Sequence, residues 1–393
     1  MFIKRDLKAA LEHYASKFPV VAVVGPRQAG KTTLTQETFP NHKYFSLEDP
    51  DTLDMVRADP RDFLERNYGT AGMILDEFQK DPQLLSYMQG IVDRNRRPGY
   101  FILTGSHNFL MNQAITQSLA GRVALLTLLP LSLRELRNEA LLTDDLDTAI
   151  FNGGYPDIFS RNIHPTEFYP QYNKTYVEHD VRQLTNVTNL SDFQRFMRLC
   201  AGRIGQVLNV SSLADDCNIS TPTANSWLSI LEANYIIFRL QPHFNNFSKR
   251  LIKAPKLFFY DTGLACWLLK IGSVDQLAEH YQRGNLAESL IIAEFYKQFY
   301  NQGKDPSVYF WRDSHGHEID CLLDFGTKLV PIEIKSGKTI NQRFFDGLHY
   351  WCNLAGVNPA EGYVVYAGAE NQTRSTGNVV GWQSAAEVIT QQQ

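Results

Sequence analysis

The sequence has no clustered cysteines. Cys200, Cys217, Cys266, Cys321 and Cys352 are scattered through a chain of 393 residues, and no C-x-x-C pair occurs. A zinc ribbon and a disulfide framework are not indicated, and the expected state is five reduced thiols in a cytoplasmic protein. No apolar run approaches the roughly 20 residues that cross a bilayer, so no membrane partner is expected. Met1-Phe2-Ile3-Lys4-Arg5-Asp6 lacks the apolar core of a secretory signal. An excess of charge of one sign is also missing: Lys plus Arg number 38 and Asp plus Glu 42, for a net charge of −4. Nucleic acid can then be met only through a local basic patch. Internal repeats, long linkers and low-complexity blocks are absent. What the chain does have is apolar content, 44%, enough for two or three ordered domains with cores of their own.

The stretch Gly25-Pro26-Arg27-Gln28-Ala29-Gly30-Lys31-Thr32 reads G-x-x-x-x-G-K-T. It follows Val20-Val21-Ala22-Val23-Val24, which has the β-branched character of a buried parallel strand, and runs into a helix start at Thr33-Leu34-Thr35. Strand, glycine-rich turn and helix in that order are the context of a phosphate-binding loop. Gly25 and Gly30 permit backbone angles and a close approach that side chains would block. The loop amides, those of Gln28, Ala29 and Thr33 included, then meet phosphate oxygens at a helix N-terminus. Lys31 adds a cation for the β- and γ-phosphates, and the Thr32 hydroxyl can ligate Mg²⁺. The expected ligands are ATP and Mg²⁺.

Met73-Ile74-Leu75-Asp76-Glu77 is an apolar strand ending in two acids. After such a loop, both strand ends fall on the same carboxyl edge of one sheet. Asp76 is expected to hold Mg²⁺, directly or through water, and Glu77 to polarise the attacking water. Tyr100-Phe101-Ile102-Leu103-Thr104 is a further strand. Ser106 is the first choice for a polar contact to the γ-phosphate or the water, with Thr104 and Asn108 behind it. Arg122 immediately precedes the strand Val123 to Pro130, where a guanidinium can serve a γ-phosphate in its own subunit or a neighbour's. The plainer reading of Arg122 is a surface salt bridge.

Gly25 to Thr33, Leu75-Asp76-Glu77, Leu103-Thr104-Gly105-Ser106 and Leu119-Ala120-Gly121-Arg122 with Pro130-Leu131-Ser132 resemble one group of prokaryotic AAA+ ATPases. In these a C-terminal domain of unknown function follows the ATPase. The resemblance implies ATP binding and hydrolysis, with Arg122 at the position of an arginine finger, hence a homo-oligomer. It implies no particular process.

Residues 131–190 read as largely helical, broken at Gly153-Gly154-Tyr155-Pro156. His179 between Glu178 and Asp180 can be drawn as a metal site, but adjacent helical residues do not share a face, which favours a solvated helix. Three helices follow. One carries Phe193, Phe196, Met197 and Leu199; one is capped at Ser211-Ser212; one starts at Ser220-Thr221-Pro222-Thr223 with Ala224, Trp227, Leu228 and Leu231 buried. Strands then follow at Ile236 to Leu240 and around Leu257 to Tyr260, after the basic Lys249-Arg250-Leu251. That order is the order of a winged helix-turn-helix, which binds DNA or proteins. Ser220, Thr221, Thr223, Asn225 and Ser226 suit a groove, but the helix carries no Lys or Arg for phosphates.

Gly284 to Glu288 opens a helix, and three strands follow: Ser307 to Arg312, His317 to Phe325 and Lys328 to Ile334. Glu333 and Lys335 share a strand face, and Asp320 lies beside them if the last two strands pair as a hairpin. Asp320, Glu333-x-Lys335 and a helical Glu288 resemble the PD-(D/E)xK nuclease core. That resemblance implies Asp320 and Glu333 on Mg²⁺, Lys335 steadying charge, Glu288 completing the cluster, and DNA or RNA as a partner. A Glu-x-Lys pair is also an ordinary cross-strand charge pair. His315 and His317 read as exposed turn residues, and the Gln391-Gln392-Gln393 tail as frayed. The expected fold class is α/β. A P-loop AAA+ parallel sheet with helices on both faces (1–135) precedes a helical, winged-helix-like segment (136–270) and an α/β restriction-endonuclease-like domain (271–393).

Overall fold

A computed structural model describes residues 2–106, 118–177, 190–243 and 252–392. Helix α1 (Leu7–Ala15) buries Leu7, Ala10, Leu11 and Ala15, a three-and-four spacing that makes one apolar face. Next come β1 (Val20–Gly25), α2 (Lys31–Thr38) and β2 (Lys43–Ser46). Pro60 divides the following helical stretch into α3 (Pro50–Ala58) and α4 (Pro60–Asn67), because it cannot donate to the helix before it. Asp59 caps the second piece, accepting from the Asp62 amide at 2.9 Å. Then β3 (Met73–Asp76), α5 (Leu84–Arg94), β4 (Phe101–Ser106) and β5 (Val123–Thr127) complete a five-stranded sheet of order β2-β3-β4-β1-β5. Every neighbour pair in it is parallel. Strand alternation divides β1 between two apolar clusters. Val20, Ala22 and Val24 pack on one face, Val21 and Val23 on the other.

The middle is helical, as expected: α6 (Leu133–Asn138), α7 (Leu146–Asn152), α8 (Pro156–Ser160) and α9 (Pro165–Tyr172), the last widening into a π-turn over Asn173–Val177. The break falls at Gly153, whose φ is +67°. A β-carbon there would sit 2.1 Å from the Tyr169 hydroxyl, so glycine is required. Next are α10 (Leu190–Ala201), α11 (Val210–Cys217), α12 (Thr221–Ala233) and the antiparallel pair β6 (Ile237–Leu240) and β7 (Lys256–Phe259). One cap differs from expectation. Asn209, not Ser211-Ser212, accepts from the Ser212 amide at 3.0 Å, so α11 starts at Val210, three residues before Leu213. The Glu178-His179-Asp180 and Lys249-Arg250-Leu251 stretches lie outside the described residues.

After α13 (Thr262–Leu268) and α14 (Val274–Ala278) comes α15 (Arg283–Asn301), the longest described helix. It leads to β8 (Val308–Arg312), β9 (Glu318–Asp324) and β10 (Leu329–Lys335), then α16 (Asp346–Ala355), β11 (Tyr363–Tyr366) and β12 (Asn378–Gly381). The sheet is mixed, in order β12-β11-β10-β9-β8. The first three strands pair antiparallel, whereas β10, β11 and β12 run parallel. The end of the chain is docked, not frayed, through Gln392. The Gln392 amide donates to the Tyr363 hydroxyl at 3.0 Å, and that hydroxyl donates to Gln391 at 3.2 Å. One apolar cluster runs from Leu129 to Ile389 and joins the helical middle to the mixed sheet. All five cysteines are buried free thiols. Among the described residues no helix is long and apolar enough to cross a membrane.

Candidate functional site

The carboxyl ends of β1, β3 and β4 meet at one edge, because the three strands are parallel and in register. Gly25 pairs with Ser106, and Asp76 pairs with Thr104. Gly25 has φ +152°, and a β-carbon there would lie 2.0 Å from the Leu128 carbonyl. Gln28 and Gly30 follow in left-handed conformations, φ +59° and +89°. These turns wrap the chain around the Lys31 side chain, which is 6% exposed. Its ammonium donates to the carbonyls of Gly25 at 3.1 Å and Pro26 at 2.8 Å. Beside the loop lies a cavity of about 370 Å³, whose walls include Arg27, Gln28, Thr32, Thr33, Glu48 and Glu77. Arg27 pairs with Glu48 across 3.5 Å.

Asp76 faces this loop. It accepts from the Thr32 hydroxyl at 2.9 Å, the Tyr44 hydroxyl at 2.8 Å and the Glu77 amide at 3.1 Å, and also from the Thr104 hydroxyl. Burial and the Asp76 carboxylate hold the Tyr44 phenol well above its usual range, so it stays a donor. A hydroxyl held against an ionisable carboxylate is a fitting donor set for a hard divalent cation bound to a nucleotide, with Thr32 as ligand and Asp76 through water. Glu77 is a non-glycine residue at φ +52°, which carries its side chain out of the strand line toward the cavity. Burial raises its carboxyl above the ordinary value, against the opposing pull of Lys31 and Arg27. Gln79 bridges the edge: its amide nitrogen donates to Glu77 and to the Ser106 hydroxyl, the latter at 2.9 Å. Asn108 lies outside the described residues.

Arg122 is elsewhere. Val20 pairs with Val123, so Arg122 stands at the amino end of the sheet while the phosphate loop leaves the carboxyl end. Six strand residues at about 3.3 Å each separate them. Its guanidinium grips Asp93 with two bonds, of 2.7 and 3.0 Å. The expectation that it reaches a γ-phosphate in its own subunit is thus overturned by strand direction.

Sequence reasoning missed Arg5. This buried guanidinium donates to the carbonyls of Ala29, in the phosphate loop, and Leu129, past the end of β5, both at 2.6 Å. It also pairs with Glu135 at 3.0 Å. Burial would raise the Glu135 carboxyl, but Arg5 and the Ser132 and Asp6 amides bring it below the ordinary range. From Glu135 the connections continue into α15. Glu294 accepts from the Leu133 amide at 2.7 Å, and Lys297 donates to the Leu131 carbonyl at 2.9 Å.

The second expected site lies beyond the other end of α15. The hairpin forms, with Ile332 opposite Cys321. Asp320 accepts from the Ile334 amide at 2.8 Å and from Lys335 at 3.3 Å, and Lys335 also contacts Glu333. Thus Asp320, Glu333 and Lys335 converge. Carboxylate oxygens of Glu288, Glu318 and Asp320 all lie within 4.8 Å of one another. Lys256, which no sequence pattern points to, enters this group from β7. It donates to Glu288 at 2.9 Å and also contacts Glu318, while Arg312 reaches Glu318 at 3.3 Å. Burial pushes Glu288 up to about 7, only partly offset by Lys256. Burial and Asp320 raise Glu333 well above the carboxylate range. Burial acts to raise Asp320 too, but Lys335 and Lys256 carry it below the usual value. His315 and His317 are tied to Asp313, at 3.9 and 3.0 Å, in the turn before β9.

Three families match consecutive parts of the chain: AAA domain over residues 17–137, Domain of unknown function (DUF8612) over 143–275, and Domain of unknown function (DUF4143) over 283–384. The uncharacterized proteins Rv2008c of Mycobacterium tuberculosis and Mb2031c of Mycobacterium bovis are each 29% identical over 340 residues, which is 86% of this chain and 74% of theirs. Among solved structures, the Walker-type ATPase PABY2304 of Pyrococcus abyssi aligns at 15% identity over 68% of this chain and 96% of its own, with a TM-score of 0.43. The RuvB Holliday junction branch migration motor of Thermotoga maritima aligns at 17% over 61% and 90%, with a TM-score of 0.32. The chain is thus similar to an AAA domain over residues 17–137, followed by stretches similar to two domains of unknown function.

Proposed function

We propose that the protein is a Mg²⁺-dependent ATPase whose nucleotide state is passed to a nucleic-acid-binding or nuclease-like C-terminal module. The observation that carries the first half is the meeting of Lys31, Thr32, Asp76 and Glu77 at one sheet edge beside a cavity. The loop and Lys31 hold the phosphates, Thr32 and Asp76 hold Mg²⁺, and Glu77 orients water and takes its proton, with Gln79 and Ser106 fixing its position. Glu77→Gln should bind ATP as wild type does but turn it over at least about 100-fold more slowly, the lower end of the range for a general base. Unchanged turnover in a phosphate-release assay sinks this role. Arg122 can then act only on a neighbour's nucleotide in a homo-oligomer, which sedimentation with and without ATP tests.

For the C-terminal module, the convergence of Asp320, Glu333 and Lys335 supports nuclease chemistry: Mg²⁺ on the carboxylates and Lys335 steadying charge. A second reading, an ATP-controlled switch or scaffold with an inactive nuclease-like fold, is favoured by Lys256. Its ammonium lies against Glu288 and Glu318, two of the three carboxylates grouped closely enough for one cation. Lys256, Lys335 and Arg312 thus offset much of the negative charge that the cluster would offer a metal. Incubation with DNA or RNA and Mn²⁺ separates the two. Cleavage abolished by Glu333→Ala and Lys335→Ala, with ATPase intact, selects the nuclease; no cleavage selects the switch.

A further inference from the structure

The helical middle contains a cavity of about 380 Å³ that neither site uses. Three elements enclose it. Gln194, Met197 and Arg198 come from one face of α10, at three-and-four spacing. Lys174 is carried by the π-turn that ends α9, a widening frequent at functional sites. Trp267 and Lys270 come from the end of α13, where Lys270 is held at φ +62°. Met197 is buried and gives an apolar floor, whereas the three cations are exposed at the mouth.

Charge is distributed unusually here. The chain as a whole carries −4, yet among the described residues no carboxylate lines this cavity. Nor do Lys174, Arg198 and Lys270 form an ion pair among the described residues, in contrast to Arg203, which pairs with Asp216 nearby. Three like charges around one opening repel each other unless an anion joins them. The aromatic wall points the same way. Trp227, Trp311, Trp351 and Trp382 are 7% exposed or less, so Trp267, half-buried at the cavity, is the tryptophan that offers a ring face to a ligand. Cations for phosphate and a ring for stacking are the components of nucleotide recognition in single strands. The volume is at the small end of ligand pockets, about 300–1,000 Å³, which suits one nucleotide and not a duplex. The site also supplies what α12 lacks, since Thr221–Ala233 contains no Lys or Arg to hold phosphates.

We propose that this cavity binds a nucleotide residue with an unpaired base, its phosphate on Lys174, Arg198 and Lys270 and its base on Trp267. This rests on neither the ATPase nor the nuclease reading. The residue is either a free nucleoside monophosphate or part of a single strand. The test is quenching of intrinsic fluorescence in the full-length chain, titrated with thymidine monophosphate and with a short oligothymidylate. Quenching by the monophosphate identifies a free nucleotide; quenching by the oligomer alone identifies a strand. Oligomer affinity should fall with salt at a log–log slope of about −0.7, the value for a single phosphate contact. The triple change Lys174→Ala, Arg198→Ala, Lys270→Ala is confined to exposed side chains and should weaken binding at least about tenfold with an unchanged melting temperature. Read by anisotropy of a labelled oligothymidylate, Trp267→Leu should weaken binding about fivefold or more, and Trp267→Phe should keep binding while losing the intrinsic quench. Lys31→Ala should leave the quench intact. The proposal is overturned if neither ligand quenches, if the triple variant binds like wild type, if Lys31→Ala abolishes the signal, or if duplex DNA competes as well as single-stranded.

Discussion

The N-terminal sheet edge and the C-terminal cluster are made of the same residue types, Asp, Glu and Lys, and they treat charge in opposite ways. At the N-terminal edge Asp76 is held by hydroxyls and an amide, and Lys31 donates to the neutral carbonyls of Gly25 and Pro26. The Asp76 carboxylate, held by these neutral donors, remains available to a cation. At the C-terminal cluster each carboxylate has an ammonium or guanidinium against it, from Lys256, Lys335 or Arg312. A motif names the residues of a site but does not say whether their charges are already cancelled.

The largest effect expected of any change comes from beneath the open edge. Arg5→Ala leaves Glu135 buried without its cation and should lower stability by about 3–5 kcal/mol in chemical denaturation. A loss under about 1 kcal/mol would mean that the loop does not rest on this pair. At the closed cluster the signature is in pH. Glu288 is raised from 4.5 to about 7, so the folded state holds a proton that the unfolded state has released. That contribution is complete below pH 4.5 and is lost as pH rises through about 7, on the order of 3 kcal/mol. Glu288→Gln should therefore gain melting temperature relative to wild type between pH 5 and 8; parallel curves would show an ordinary exposed-like carboxyl. Lys31→Ala should cost about 1.5–3 kcal/mol of ATP binding by calorimetry, the range for hydrogen bonds to a charged group. If the C-terminal cluster bound nucleotide instead, Lys31→Ala would leave affinity untouched. Smallest of all, Arg122→Ala should not change turnover by dilute monomers, because its guanidinium is bound to Asp93 at the far end of the sheet.

The phosphate loop and the Asp76-Glu77 strand end were legible in the sequence, because backbone chemistry and parallel strand direction fix them over short distances. The hairpin that joins Asp320 to Glu333 was legible for the same local reason. For Arg122 the reading within its own subunit fails, although the information against it was present, while the plainer reading as a salt bridge holds. A residue before a parallel strand lies at the opposite edge from one after it, so it cannot share an edge with Asp76. Arg5 and Lys256 left no signal. Arg5 acts on Glu135, 130 positions away, and Lys256 on Glu288, 32 positions away in a different element. Neither spacing follows from local periodicity. Strand β12 was missed because only two β-branched residues, Val379 and Val380, stand between Asn378 and Gly381.

Helix α15 has a practical consequence for anyone dividing this chain. Its Glu294 and Lys297 complete the start of α6, while Ser289, two turns before Lys297, both donates to and accepts from the backbone of Phe259. A fragment that stops where the AAA match ends, at residue 137, would strip α6 of its outer cap and bare the apolar side of Leu129 and Leu133. The ATPase part and the rest of the molecule are better handled, inherited and purified as one piece.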